Sequence, residues 1–243
     1  MVKTSEKLIV NGKRLDGRDL DEMRPIEMEI GVVKRADGSA RVAFGNTEAV
    51  VSAYGPRKLY PRFLQEADTG ILRCRYSMAP FSTDERVRPG RNRRAIEISK
   101  VSKLALEAST FLDDFPKTVV DVFIEIIQAD GSTRVTGLNA ASLALATAGV
   151  PMRDLVTACS VGKIDGQLIS DLNGLEDNNS EADVAFAMLP TKGLITLLQM
   201  DGLLTKEELF TLLERAKNNC KKIYEIQKKT LKDYYSREFK KGD

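Results

Sequence analysis

The chain has 243 residues, 30% charged and 42% hydrophobic, with a formal net charge of +2, a globular composition rather than that of a general polyanion binder. It contains no histidine, which excludes Ser-His-Asp and Cys-His nucleophile systems, HExxH zinc sites and imidazole acid–base chemistry. No apolar run approaches the ~20 residues of a membrane span, no apolar leader core follows Met1, and the odd, widely spaced Cys74, Cys159 and Cys220 suit reduced, mostly buried thiols, so a cytoplasmic location is expected.

Tight-turn dipeptides punctuate the first part of the chain at Asn11-Gly12, Asp16-Gly17 and Asp37-Gly38. Residues 26–33 and 39–44 read as a strand pair, 48–54 as a third strand and 73–78 as another. From Ile96 the period changes. Ile98, Val101, Leu104, Ala105, Ala108 and Leu112 fall at helical spacing and form one apolar stripe. Val120, Val122, Ile124 and Ile126 alternate with a half-apolar set, the pattern of a mostly buried strand.

Residues 138–149 are Ala-rich and apolar nearly all round, a buried helix stopped by Gly149 and Pro151. Residues 155–161 and 167–172 read as a hairpin closed at Asp165-Gly166, and 183–188 and 194–200 as two further strands. Thr205 with Glu208 makes a capping box. It opens a long amphipathic helix with Leu209, Leu212, Leu213, Ala216, Cys220 and Ile223 on one face. The Lys-rich tail, about 228–243, is expected to be frayed or solvated. The order of elements gives an α+β chain, roughly a doubled β-sheet-plus-helices unit. Nothing reads as an interdomain linker, so 1–243 is taken as one domain with approximate halves 1–115 and 116–243.

Four stretches carry chemistry. Gln128-Ala129-Asp130-Gly131-Ser132-Thr133-Arg134 links a strand to a helix through a Gly-containing turn. Backbone N–H groups, hydroxyls, a guanidinium and a helix N-terminus can converge there on an anion. The turn lacks GxxxxGK[ST] and GxGxxG, so it suits a small anion better than a triphosphate; by itself such a turn is also a common connection. Arg86, Arg88, Arg91, Arg93 and Arg94 crowd nine residues. Arginine forks phosphate bidentately, and Arg93 and Arg94 sit where cations oppose the helix dipole; the plain alternative is a solvated loop. Asp171, Glu176, Asp177, Glu181 and Asp183 line a turn between strands, either an Asx-rich loop or a divalent-cation site completed by water and a phosphate substrate. Residues 55–63 are basic and aromatic, suited to a nucleic-acid backbone or base, or simply a surface loop.

With these stretches in view, the chain resembles the RNase PH family of phosphorolytic 3′-exoribonucleases. The resemblance runs from Leu15-Asp16-Gly17-Arg18 through Val42-Ala43-Phe44-Gly45-Asn46-Thr47 and Gly55-Pro56-Arg57. It continues in Ile127-Gln128-Ala129-Asp130-Gly131-Ser132 and Asp171-Leu172-Asn173, with the Glu176-Asp177…Asp183 spacing. Pro80-Phe81-Ser82-Thr83-Asp84-Glu85-Arg86 and Arg93-Arg94-Ala95-Ile96-Glu97-Ile98-Ser99-Lys100 look closer to the catalytic subunits of archaeal exosome rings than to bacterial members.

The resemblance implies an RNase PH-like fold of two related β-rich units with helices, of the ribosomal protein S5 domain 2-like kind. It implies that Gly131, Ser132, Thr133 and Arg134 bind the attacking inorganic phosphate, the co-substrate. Arg93 and Arg94 would grip the terminal phosphates of single-stranded RNA, and Arg62 the backbone upstream. Asp177 and Asp183 would be the catalytic carboxylates and the ligands of Mg²⁺, with Mn²⁺ as a substitute. Which acid protonates the departing 3′-oxygen stays open. Many relatives carry a histidine near Tyr60, and this chain has none. The family's archaeal ring is six-membered, alternates this subunit with a related, catalytically silent one and carries RNA-binding caps. The alternatives are a silent RNA-binding ring subunit, a metal-dependent hydrolytic nuclease releasing monophosphates, and bacterial-type trimming of tRNA 3′ ends.

Overall fold

A computed structural model describes residues 7–90 and 92–241, with side chains to residue 237. It opens with a small hairpin, β1 (Ile9–Val10) and β2 (Lys13–Arg14), turned by Asn11-Gly12. Strands β3 (Ile26–Ile30), β4 (Gly38–Phe44) and β5 (Thr47–Lys58) follow as an antiparallel meander. Then β6 (Ile71–Met78), helix α1 (Arg93–Glu107) and β7 (Thr118–Gln128) form a crossover that lays β6 parallel to β7. The resulting five-stranded sheet has the order β3-β4-β5-β7-β6. A parallel pair needs a crossover connection, which is why a helix stands between these strands in sequence.

Helix α2 (Thr133–Thr147) lies against this sheet and reaches the second one. That placement between layers accounts for a helix buried almost all round. Its backbone comes so close to β4 that a Cβ on Gly38 would stand 2.2 Å from the Ala144 carbonyl oxygen. Strands β8 (Thr157–Ile164), β9 (Gln167–Ser170), β10 (Ala182–Leu189) and β11 (Leu194–Gly202) make the second sheet, ordered β11-β10-β8-β9 and antiparallel throughout. Helix α4 (Lys206–Lys241) packs on it, opened by the Thr205–Glu208 capping box. One buried cluster runs through both sheets and the long helices, with Phe44, Ile98, Leu138, Phe186 and Ile223 among its members.

Two expectations are corrected. The stretch between β9 and β10 is not only a turn: it holds a short helix, α3 (Gly174–Asn179), capped by Asn173 and Glu176. The tail is not frayed from Lys228, because α4 continues to Lys241. Gln227 is fully buried and donates to Asn139 Oδ1 and the Val156 carbonyl, and Leu231 packs against the core. Residues 242–243 lie outside the described residues. All three cysteines are free, Cys159 and Cys220 buried, and burial pushes the Cys74 thiol up to about 12. Among the described residues no helix is long and apolar enough to cross a membrane.

Candidate active site

The anion turn sits where β7 ends and α2 begins. Thr47 Oγ1 pins it from β5, accepting from Asp130 N at 3.0 Å and donating to the Gly131 carbonyl at 2.7 Å. Gly131 has a φ of +71°, and a Cβ there would fall 2.5 Å from the Asn173 carbonyl carbon, so only glycine lets this turn press against the start of α3. Ser132 takes a left-handed conformation with φ 56°. Its Oγ donates to the Leu172 carbonyl at 2.7 Å and lies 2.6 Å from Ser160 Oγ. Tyr76 donates its hydroxyl proton to Thr133 Oγ1 at 2.9 Å. Both turn hydroxyls therefore fasten the turn from inside. What α2 offers outward is its first backbone N–H groups, which have no partner within the helix, and Arg134, whose buried Nε has no hydrogen-bond partner.

The acidic loop separates into two kinds of carboxylate. Asp171 accepts from Arg24 at its backbone N (2.8 Å), Nε (2.9 Å) and Nη2 (2.7 Å), with Arg18 Nη1 at 3.4 Å. Glu176 is forked by Arg14 Nε at 2.6 Å and Arg14 Nη2, and accepts from Asn173 N at 2.8 Å. Glu181 accepts from Gly166 N and pairs with Lys163. Asp130 Oδ1 holds the first N–H of α3, that of Gly174, at 2.8 Å. Of the loop's five acids, only Asp177, on α3, and Asp183, on β10, have no ion pair among the described residues.

These two face a cleft of about 480 Å³, lined also by Arg94, Arg134, Gln199 and Asp201. Burial pushes the Asp177 carboxyl up, against the pull of Arg94, Arg134 and Arg24. Asp183 is pushed up by burial, then by the negative charges of Asp177 and of Asp201, its register partner on β11, with Arg134 opposing. Two half-buried carboxylates, one of them raised further by the charge of the other, suit one proton or one divalent cation between them. No cluster of three His, Cys, Asp or Glu able to hold a metal exists among the described residues. Asp177 and Asp183 are the carboxylates of this cleft that a divalent cation could use, with water and a phosphate as its further ligands.

The remaining sequence-derived residues are placed unevenly. Arg93 and Arg94 start α1, which Asn92 caps by accepting from Ala95 N at 2.7 Å, with no acid in the first turn. Both are exposed, and Arg94 lines the cleft. Arg62 sits in a 3-10 turn (Arg62–Leu64) beyond β5. Register puts Lys58 opposite Thr118 and Glu48 opposite Gln128, so Arg62 lies at the far end of β7, roughly 30 Å along the strand from the anion turn. It is not brought into this cleft. Arg91 falls outside the described residues. Sequence reasoning gave no role to Arg14 and Arg24, which hold the acidic loop, nor to Glu97. Glu97 accepts from Gln199 Nε2 at 2.6 Å and from Arg134 Nη2 at 3.4 Å, tying α1 to β11 and α2. The separations involved, 162 residues for Arg14 and Glu176, leave no local signal.

Residues 22–151 match the first-domain model of the 3′ exoribonuclease family (RNase PH), and residues 154–219 match its second-domain model. A protein of Thermococcus gammatolerans named exosome complex component Rrp41 is 56% identical over 225 residues, 93% of this chain and 90% of that protein. The crystal structure of rice Rrp46 superposes with a TM-score of 0.80 at 25% identity, covering 90% of this chain and 100% of that one. A chain of the Archaeoglobus fulgidus exosome, solved with RNA bound to the active site, has the same fold, with a TM-score of 0.78 at 23% identity over 88% of this chain and 92% of that one. Fold and family agree across both sheets: this chain belongs to the 3′ exoribonuclease family.

Proposed function

We propose that this chain shortens single-stranded RNA from its 3′ end by phosphorolysis, as the catalytic subunit of an exosome ring. The observation that carries this reading is the sharing of one cleft by Arg94, Arg134, Asp177 and Asp183, beside the N-terminus of α2. A phosphate attacking a phosphodiester brings two anions together. Guanidiniums and free helix N–H groups on one wall offset that repulsion, and positioning supplies much of the acceleration.

In this mechanism Arg134 and the Gly131–Thr133 backbone hold inorganic phosphate, with Ser132 and Thr133 side chains bracing the turn. Arg94, with Arg93 beside it, holds the last phosphodiester. An oxygen of the inorganic phosphate bonds to that phosphorus, and the bond to the 3′-oxygen of the preceding nucleotide breaks. Asp177, protonated more readily than an ordinary carboxylate, gives its proton to that oxygen. A nucleoside 5′-diphosphate leaves. With Asp177 carrying the proton, Asp183 is the residue that would hold Mg²⁺ or Mn²⁺, whose charge would help to neutralise the reacting phosphates. Arg62, far from the cleft, would meet RNA upstream. The relatives' names support an exosome setting; a related silent subunit, RNA-binding caps and a cytoplasmic place of action are what the family resemblance adds to this proposal. The continuous core supports treating 1–243 as one working unit.

The test is incubation of the chain, alone and with its ring partner, with 3′-labelled single-stranded RNA and Mg²⁺. Nucleoside diphosphate released only when phosphate is added is the expected result. Monophosphate released without phosphate would mean hydrolysis. Binding without release in the assembled ring would mean a silent subunit.

A further inference from the structure

The five-stranded sheet has a second face, turned away from α2, and its charge is not explained by the cleft. Side chains alternate across a strand, so Val122 and Ile124 enter the core while Asp121 and Phe123 point outward. Register places Tyr54, Asp121 and Arg73 in one row across three strands, and Ser52, Phe123 and Arg75 in the next. Tyr54 and Phe123 meet edge to face at 5.9 Å. The Arg57 guanidinium stands 5.7 Å from the Tyr54 ring centroid. A cleft of about 450 Å³ runs along this margin, lined by Arg57, Arg73, Arg75, Asp121 and Phe123 among others.

The charges do not cancel. Asp121 is 7% exposed and accepts from both Arg57 and Arg73, whose side chains stay 55% and 51% exposed. Burial favours the neutral form of Asp121, but hydrogen bonds from Arg73 and Arg57 outweigh it and hold the carboxyl below its ordinary value. It is thus a fixed anion that positions two guanidiniums. Arg75 is exposed and its side chain has no ion pair or hydrogen bond among the described residues. Of the other acids on this face, Glu27 and Glu29 stand at its far edge on β3, Glu27 and Glu48 pair with Arg41, and Glu125 lies in the next row beyond Phe123, beside Ser77. Around Tyr54 and Phe123 themselves, three cations thus stand against one spent carboxylate, a local positive strip at the β6 side of the sheet.

We propose that this outer face is a second contact for single-stranded RNA, outside the catalytic cleft. The proposal rests on RNA being the substrate. A sheet carrying aromatic rings flanked by arginines suits stacked bases and their phosphates. Arg73 and Arg75, two residues apart on one face, lie about 7 Å apart along the strand, which lets successive guanidiniums follow successive phosphates of an extended chain. An acidic peptide would use the charges but not the ring faces, so RNA is the occupant these residues favour.

The experiment compares the full chain with Arg75→Gln and Tyr54→Leu, neither of which removes a residue of the catalytic cleft or a hydrogen-bond donor to Asp121. Each protein is titrated with a single-stranded 24-mer at several salt concentrations and assayed on a tetranucleotide too short to span both places. Arg75→Gln is expected to weaken 24-mer binding roughly fivefold and to lower the salt slope by about 0.7. Tyr54→Leu is expected to weaken it roughly tenfold. Phosphate-dependent cutting of the tetranucleotide stays unchanged. Photocrosslinking of 4-thiouridine RNA is expected to mark the peptide around Phe123. Unchanged 24-mer affinity and salt slope in both variants would overturn the proposal. So would variants that lose association with another protein subunit while keeping their RNA affinity. If the unsubstituted chain neither binds nor cuts RNA even when assembled with its ring partner, the proposed function fails and this contact falls with it.

Discussion

Asp177 and Asp183 differ from the other acids of their loop only in what surrounds them. Asp171 and Glu176 each have an arginine fork; Asp177 has burial and distant cations. Asp177→Asn is therefore expected to slow RNA degradation by about 10²–10⁴-fold while 24-mer binding, measured by fluorescence anisotropy, persists. The same change should raise thermal stability at pH 7. A carboxyl whose folded-state value is raised binds its proton more tightly when folded. Native stability then falls as pH rises from the unfolded value, about 3.9, through the folded one, and the deficit persists above it. Asparagine removes that deficit, and a melting temperature lower than that of the parent chain at pH 7 would contradict it. For the same reason the rate should decline on the alkaline side as Asp177 loses its proton. That limb should vanish from the residual activity of Asp177→Asn. Asp171→Ala acts oppositely. It leaves Arg24 buried without its partner and is expected to cost about 3–5 kcal/mol in urea unfolding.

At the scale of elements, the cleft depends on two pieces pressed together, the anion turn and α3. Gly131→Ala puts a methyl into the Asn173–Gly174 backbone and strains a positive φ, so a loss of at least about 1–3 kcal/mol is expected. Phosphate-dependent release should fall with it. Asn173→Ala removes the N-cap of α3 and is expected to cost about 1 kcal/mol. The sequence made most strands and long helices legible, because Asp37-Gly38 and Asp165-Gly166 mark the turns between β3 and β4 and between β8 and β9, and α1 carries an apolar stripe. It did not reveal α3, six residues whose capping box is hidden among acids that resemble a loop. Nor did it reveal that α4 runs beyond Lys228, because one buried Gln227 and Leu231 hold a stretch whose composition is that of a solvated tail. In the cleft, Arg94, Arg134, Asp177 and Asp183 were identified and do converge. Arg62 was identified and stands elsewhere. Glu97 and Gln199 went unseen, since a link between α1 and β11 is a product of packing.

For the molecule as a whole, one core spans both sheets, although the two family-domain matches meet near residue 152. Helix α2 belongs to both, since it packs on β4, β5 and β7 on one side and on β8 and β10 on the other. Urea unfolding is therefore expected to be one transition, coincident by far-ultraviolet circular dichroism and by tyrosine fluorescence. Two separate midpoints would mean that the halves are energetically independent. The buttress beneath the acids adds a dimension of time. Arg14 meets Glu176, Leu8 N meets Asp165 and Arg24 meets Asp171 across gaps of 162, 157 and 147 residues. Closures over such distances are slow to find. A growing or refolding chain can build its first sheet early, but its acids take their places only when the earliest and late segments meet. The capacity to cut RNA thus arrives last, after the body of the protein already exists.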